Sequence, residues 1–362
     1  MIPARASLHG SRGKAAGSNF FKRFGTTLNK MLNGEWRERV CLVTGGAGFI
    51  GAHLCEHLLD GGARVVVLDR HRPRRSYFIL QGLNDRVDFI FGDVREMQAV
   101  RWALENHAVD TIFHLAAQPL IPLGNVIPFE TLSVNALGTY AVLEAARQTA
   151  GIEAFVYASS GAYYGDTLDD GALVEEHPPV ASANIYAPAV VAADAAVRAY
   201  AKTFKLPTVA CRFLNVYGAG DLNFSRLVPR AVRNLMMDAP YNFGERDDGR
   251  TKLEFSNVRD LVRGLARAAE ALHARRPIKG EAINLGSGYP VSVQTLARLI
   301  SRSYDGQERE PCFCGERTQQ PHIRYLDIRK AERLLDWQPQ VELQEGLIET
   351  LAWYRRFWPQ LR

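Results

Sequence analysis

Residues Thr44-Gly45-Gly46-Ala47-Gly48-Phe49-Ile50-Gly51 constrain the fold of this chain more than any other segment. Val40-Cys41-Leu42-Val43 precedes them, an apolar run of the length of a buried parallel strand. Phe49, Ile50, Leu54, Leu58 and Leu59 follow with helical periodicity. Between strand and helix each glycine has a separate task. Gly45 permits the tight turn, Gly48 lets backbone approach a pyrophosphate, and Gly51 lets the helix pack close to the strand. The free N–H groups at the helix start then favour phosphate oxygens. The next strand, Arg64 to Leu68, ends at Asp69, where an acid grips ribose hydroxyls and implies NAD. Arg70, Arg72, Arg74 and Arg75 crowd behind it. An arginine there also accommodates a 2′-phosphate, which keeps NADP open. The plain alternative is a glycine loop that only turns the chain. Strand, turn, helix and acid in one register favour the cofactor.

Strand and helix patterns continue to alternate. Val87–Phe91 reads as a strand ending in Gly92-Asp93-Val94, and residues 97–106 as a helix. Thr111–Leu115 reads as a strand running into Ala116-Ala117-Gln118. A long helix is expected from Phe129 to Ala150, carrying Asn135. Ala154–Ala158 is the next strand, ending at Ser159-Ser160. Residues 186–205 are alanine-rich and helical, and Thr208–Arg212 is a strand. This alternation implies an α/β fold, a doubly wound parallel sheet of Rossmann type, with its ligand crevice at the carboxyl ends of the strands. Beyond about residue 213 the pattern is irregular. Three segments are expected: an extension over 1–37, a cofactor-binding domain over 38–212, and a smaller C-terminal substrate-binding lobe over 213–362, interleaved with the last sheet strands.

The formal charge of +5 is uneven. Residues 1–34 hold Arg5, Arg12, Lys14, Lys22, Arg23 and Lys30 and no acid. Setting those six aside leaves 38 of the 44 basic residues against 39 acids, so the body carries no nucleic-acid footprint. The tail reads as a disordered extension. Residues 19–32 can instead form a basic amphipathic helix for targeting or partner contact. No apolar run reaches the length of a membrane span. Five cysteines, with Cys41 and Cys55 in predicted core elements, argue for a reducing, cytoplasmic setting. Cys312, Cys314 and His322 do not make a convincing zinc set, so no metal is expected.

The motifs together resemble the extended short-chain dehydrogenase/reductase family, in particular its NAD-dependent nucleotide-sugar epimerases and dehydratases. They comprise the glycine turn, Gly92-Asp93-Val94, His114 to Gln118, Asn135 with Gly138-Thr139, and Ser159-Ser160 before Tyr164-Gly165. Arg212 through Asn215-Val216-Tyr217-Gly218, Asn284 to Gly288, and the closing Trp337-Gln338-Pro339 belong to the same set. Gly220 to Arg226 is similar to the CDP-glucose 4,6-dehydratase-like branch. The resemblance implies a cofactor site of Gly45, Gly48, Phe49, Ile50, Gly51, Asp69, Arg70, Asp93, Val94, Leu115, Ala116, Ala117 and Tyr186. It implies a nucleotide-diphosphate sugar as substrate, met by Gln118, Ser160, Asn215 and Arg226. Ser160 then bonds the sugar hydroxyl and Tyr186 is the acid/base. A homodimer is implied as well, through residues 129–150 and 186–205.

Three departures qualify the chemistry. The family carries a lysine four residues after the tyrosine, one helical turn on, and here that residue is Val190. None of the 13 tyrosines has lysine at that spacing. Lys202 lies about 24 Å along the helix from Tyr186. Gly161 and Ala162 stand where 4,6-dehydratases carry polar or acidic residues for elimination. Leu253 stands where an arginine usually grips the diphosphate. The favoured reading is an enzyme of transient hydride transfer, with epimerisation ahead of 4,6-dehydration. The second is a catalytically silent binding module of the same fold. The third is another reaction using Tyr163, Tyr164 or His177 as a proton path.

Overall fold

A computed structural model describes residues 36–166, 171–243, 248–314 and 322–361. The basic helix expected over 19–32 lies outside them. Twelve strands follow in chain order: β1 Val40–Thr44, β2 Arg64–Asp69, β3 Asp88–Phe91, β4 Thr111–His114, β5 Ala154–Ala158, β6 Gly171–Leu173, β7 Thr208–Arg212, β8 Asn215–Tyr217, β9 Lys252–Asn257, β10 Ala282–Asn284, β11 Pro290–Ser292 and β12 Ile323–Leu326. The longer helices are α1 Phe49–Asp60, α2 Met97–Asn106, α3 Gly138–Gln148, α4 Tyr186–Phe204, α5 Leu227–Met236, α6 Val258–His273, α7 Val293–Asp305 and α8 Leu343–Leu361.

Seven strands form a parallel sheet in the order β10-β7-β5-β4-β1-β2-β3. Its central strands β1, β2 and β5 are largely apolar because helices cover both faces. Successive side chains point to opposite faces. Cys41 and Val43 of β1, and Val65 and Val67 of β2, enter the core beneath α1 and α6. Leu42, Val66 and Leu68 enter the other, beneath α2, α3 and α4. The strand order reverses between β1 and β4, which opens a crevice at their carboxyl ends.

A second sheet runs β11-β9-β12-β6, with β8 paired to β9. The two sheets share the chain in both directions. β10 comes from the C-terminal half and extends the first sheet, while β6 comes from the N-terminal half and edges the second.

Two expectations need correction. Trp36, which the sequence places in the extension, is buried against the first sheet. Its backbone N–H donates to Gly61 O at 3.1 Å, and its ring lies 6.1 Å from Phe113. The helix expected over 129–150 is also not continuous. A π-helical turn, Ser133–Leu137, interrupts it, followed by α3. The extra residue turns Asn135 inward, where its Oδ1 accepts from Gln118 N at 2.7 Å and its Nδ2 donates to Gln118 O at 3.1 Å. An apolar period cannot reveal such an insertion, because the flanking turns keep their own faces.

Candidate active site

The glycine turn is built so that side chains do not fit. Gly45 has φ +70°, and a Cβ there would sit 2.8 Å from Ala116 N and Cα. A Cβ on Gly51 would sit 2.3 Å from Gly45 O. No side chain caps the start of α1, so its first N–H groups face the crevice unspent. Asp69 closes the far side. Its carboxylate accepts from Ala47 N at 3.1 Å and His71 N at 3.0 Å, and burial pushes its pKa above the usual carboxylate value. Thr44 Oγ1 accepts from Leu115 N and Ala116 N, both at 3.2 Å, which ties the end of β1 to the end of β4. Phe49 and Ile50 lie partly buried at the helix start, and Ala117 is exposed at the rim.

At the outer end, Asp93 is held below the usual carboxylate range by the Arg95 guanidinium. Val94 is buried against Gly138, where a Cβ would come within 2.9 Å of it. Arg70 lies between Glu130 at 2.9 Å and Asp93 at 3.9 Å. Two carboxylates already match its charge, so a 2′-phosphate gains little there. The close-approach glycines, the free helix start and the acid fit a dinucleotide with unphosphorylated ribose.

The next level of the crevice carries Ser160 and Tyr186. Ser160 is extended and opens a 3₁₀ turn, Gly161–Tyr164, accepting from Ala162 N at 3.1 Å. Tyr186 is the first residue of α4, and the Asn184 Oδ1 acceptor at 3.0 Å from Ala187 N steadies that start. The 3₁₀ turn that Ser160 opens packs against α4, which brings Ser160 close to Tyr186. Burial raises the phenol above its ordinary pKa, while Ser160 and the positive Arg226 pull it back.

Val190 lies one turn along α4, buried in an apolar cluster with Tyr163, Tyr164, Leu173 and Leu326. No ammonium could sit there without a desolvation cost. Val190→Lys is therefore expected to cost about 1–3 kcal/mol of stability, read as a lower urea midpoint. An unchanged midpoint would show that the cluster yields more readily than its burial implies.

Behind the pair lies a buried network that sequence patterns miss. Arg212 and Asp194 are both fully buried and bonded twice, at 2.8 and 3.0 Å. Asp194 also accepts from Ser159 Oγ at 2.8 Å. Arg212 Nη1 donates to Tyr164 Oη at 3.2 Å, and Tyr164 donates to Asn284 Oδ1 at 2.7 Å. The Tyr163 ring lies flat on the Arg212 guanidinium, 3.4 Å from it. Asp194 shares the α4 face of Tyr186 and Val190, spaced by fours. That lone acid in an alanine-rich helix was the available signal. The network clamps the helix bearing Tyr186 to the strand end bearing Ser159 and Ser160. It also commits Tyr164. His177 is spent on a turn, where its Nδ1 accepts from Val174 N at 3.4 Å.

The remaining substrate candidates divide. The Gln118 side chain is engaged with its own loop, donating to Thr131 at 2.9 Å and to Leu120 O at 3.1 Å and accepting from Leu120 N at 2.6 Å. It braces the crevice wall rather than entering it. Asn215 is exposed, with its amide donating to Glu254 O at 3.0 Å. Arg226 is paired to Asp221 at 3.1 Å with its side chain 37% exposed, so part of its fork remains open to solvent. Cys312 and Cys314 are both exposed, and among the described residues no three His, Cys, Asp or Glu side chains could share a metal ion. Among those residues, no helix is long and apolar enough to cross a membrane.

Comparison with known proteins agrees with this geometry. Residues 41–286 match the NAD dependent epimerase/dehydratase family. The dTDP-D-glucose 4,6-dehydratase of Mus musculus is 30% identical over 333 residues, covering 89% of this chain and 90% of that protein. The Thermotoga maritima UDP-glucose 4-epimerase, solved with UDP-glucose, superposes with a TM-score of 0.78 at 26% identity, covering 88% of this chain and 99% of that one. DesIV of Streptomyces venezuelae, a dTDP-glucose 4,6-dehydratase solved with NAD, superposes with a TM-score of 0.76 at 28% identity, covering 89% and 100%. With a seven-stranded Rossmann sheet, the glycine turn and Asp69 in place, this chain belongs to the NAD dependent epimerase/dehydratase family.

Proposed function

We propose that the protein is a nucleotide-sugar epimerase working by transient hydride transfer at a sugar carbon. The observation that carries this reading is the packing of the turn opened by Ser160 against the helix that Tyr186 begins, beside an intact glycine turn. Bound NAD supplies a reversible hydride acceptor. Tyr186 takes the proton of the sugar hydroxyl as the hydride leaves, and Ser160 holds that hydroxyl on the phenol. Tyr186 would hand the proton back once hydride had been returned to the opposite face, which would invert the carbon. Asn215 and Arg226 would meet the diphosphate.

Epimerisation is favoured over elimination because Gly161 cannot be an acid. A Cβ there would sit 2.3 Å from the Leu214 side chain, and Ala162 beside it has no ionisable group to donate a proton. Elimination of water needs a proton donor at that level. Val190 supports the second reading, a silent binding module, since the tyrosine lacks its neighbouring cation. A homodimer is supported by the exposed apolar side chains of Val126, Phe129 and Leu137 ahead of and at the start of α3.

The test is incubation with NAD and UDP- or dTDP-linked sugars in heavy water, read by chromatography and mass spectrometry. A new isomer of unchanged mass is expected. Loss of a water mass would overturn epimerisation in favour of dehydration. No product from protein that holds NAD would favour the silent module.

A further inference from the structure

One cation at the sugar end of the crevice makes no ion pair among the described residues. Arg324 lies on β12, directly opposite Leu253 on β9 and Gly171 on β6. The acid of β9, Glu254, is the next residue along, and its carboxylate accepts instead from Leu326 N at 2.9 Å and Gly288 N at 3.4 Å. Its Nη2 donates to Gly161 O at 2.7 Å, one residue beyond Ser160. Its Nε is buried without a hydrogen-bond partner. Among the described residues no carboxylate comes within ion-pair distance of it.

The nearest anionic charge is that of Asp166, which acts on Arg324 only beyond ion-pair distance. The Asp166 carboxylate accepts from Ser182 Oγ at 3.0 Å and Ala183 N at 2.8 Å. Tyr164 is committed to Asn284. Burial pulls the guanidinium pKa below its ordinary value, and the more distant Asp166 carboxylate offsets this only in part. Arginine nevertheless stays charged in proteins. A half-buried charge of this kind is costly unless something pairs with it.

We propose that Arg324 is a specificity-determining residue that binds a carboxylate carried by the substrate's sugar ring. The inference rests on the nucleotide-sugar reading above. Gly161 anchors the guanidinium beside Ser160, so the anion it meets sits at the reacting end of the sugar. A carboxylate matches a planar guanidinium through parallel charge-assisted bonds, whereas a neutral hydroxymethyl group leaves the charge unpaired. The enzyme therefore selects uronic-acid nucleotides over neutral hexose nucleotides.

The test is calorimetric titration of the NAD-loaded protein with UDP- and dTDP-linked glucose and glucuronic acid. The wild type is expected to bind the glucuronic acid form at least about tenfold tighter. Arg324→Gln should erase that preference, leaving affinity for the glucose form within about twofold, and Arg324→Lys should keep part of it. Retained NAD binding reports that each variant is folded. If Arg324→Gln does not fold, the wild-type preference and Arg324→Lys decide the matter. Equal losses for both sugars would overturn the proposal by placing Arg324 on the diphosphate, and tighter wild-type binding of the glucose form would overturn it outright. Binding of no nucleotide sugar at all would instead overturn the nucleotide-sugar reading itself.

Discussion

Tyr186→Phe is expected to lower turnover by about 10²–10⁴-fold or more while leaving NAD binding intact. The substitution removes one oxygen from the head of α4 and keeps the ring that packs against Val190 and Tyr163. What is lost is the hydroxyl beside Ser160 that the proposed mechanism assigns to take the sugar's proton. An unperturbed phenol titrates near 10, and burial pushes Tyr186 higher. Its deprotonated, basic form therefore becomes more abundant as pH rises, and turnover should climb through the alkaline range. Arg226 offsets the burial in part, and the nicotinamide charge acts in the same direction. Val190→Lys should move the rising limb to lower pH, since a cation one helical turn away favours the phenolate, despite its cost in stability. A pH–rate profile for all three proteins is the measurement. Full activity in the Tyr186→Phe protein would remove Tyr186 from the reaction.

The cofactor half of the site was legible because its requirements are local. Gly45 and Gly51 answer to backbone clearance of under 3 Å, and Asp69 ends the next strand of the same unit. Spacing alone brings such residues together. Ser160 and Tyr186 were proposed from the family resemblance, and each stands at the end of a predicted element. What escaped depends on contacts between distant segments. Asp194 and Arg212 meet across 18 residues, and Arg324 meets Gly161 across 163. Gln118 was placed in the substrate site by its position after Ala117, yet partners in the following helical segment occupy its amide. The π-turn at Ser133–Leu137 leaves no mark in an apolar period, although it decides where Asn135 points.

Arg212→Met is expected to destabilise the protein by about 3–5 kcal/mol, because it strips a fully buried Asp194 of its cation. Ser159 would remain the one hydrogen-bond donor to that carboxylate, and one neutral hydroxyl does not balance a buried charge. Against a total stability of about 5–15 kcal/mol this is a large fraction. Tyr163 would lose the cation beneath its ring and Tyr164 one of its donors, so the wall around Val190 would loosen as well. Urea unfolding reads the loss. The double variant Arg212→Met with Asp194→Leu should recover most of it, because no charge is then left buried. Its activity separates two roles for the pair. If the ion pair only stabilises the fold, the double variant regains activity with stability. If it also sets the reach of Tyr186 to Ser160, as its place between α4 and the end of β5 implies, stability returns while turnover stays low. A double variant as unstable as Arg212→Met would show that packing, not the unpaired carboxylate, carries the cost.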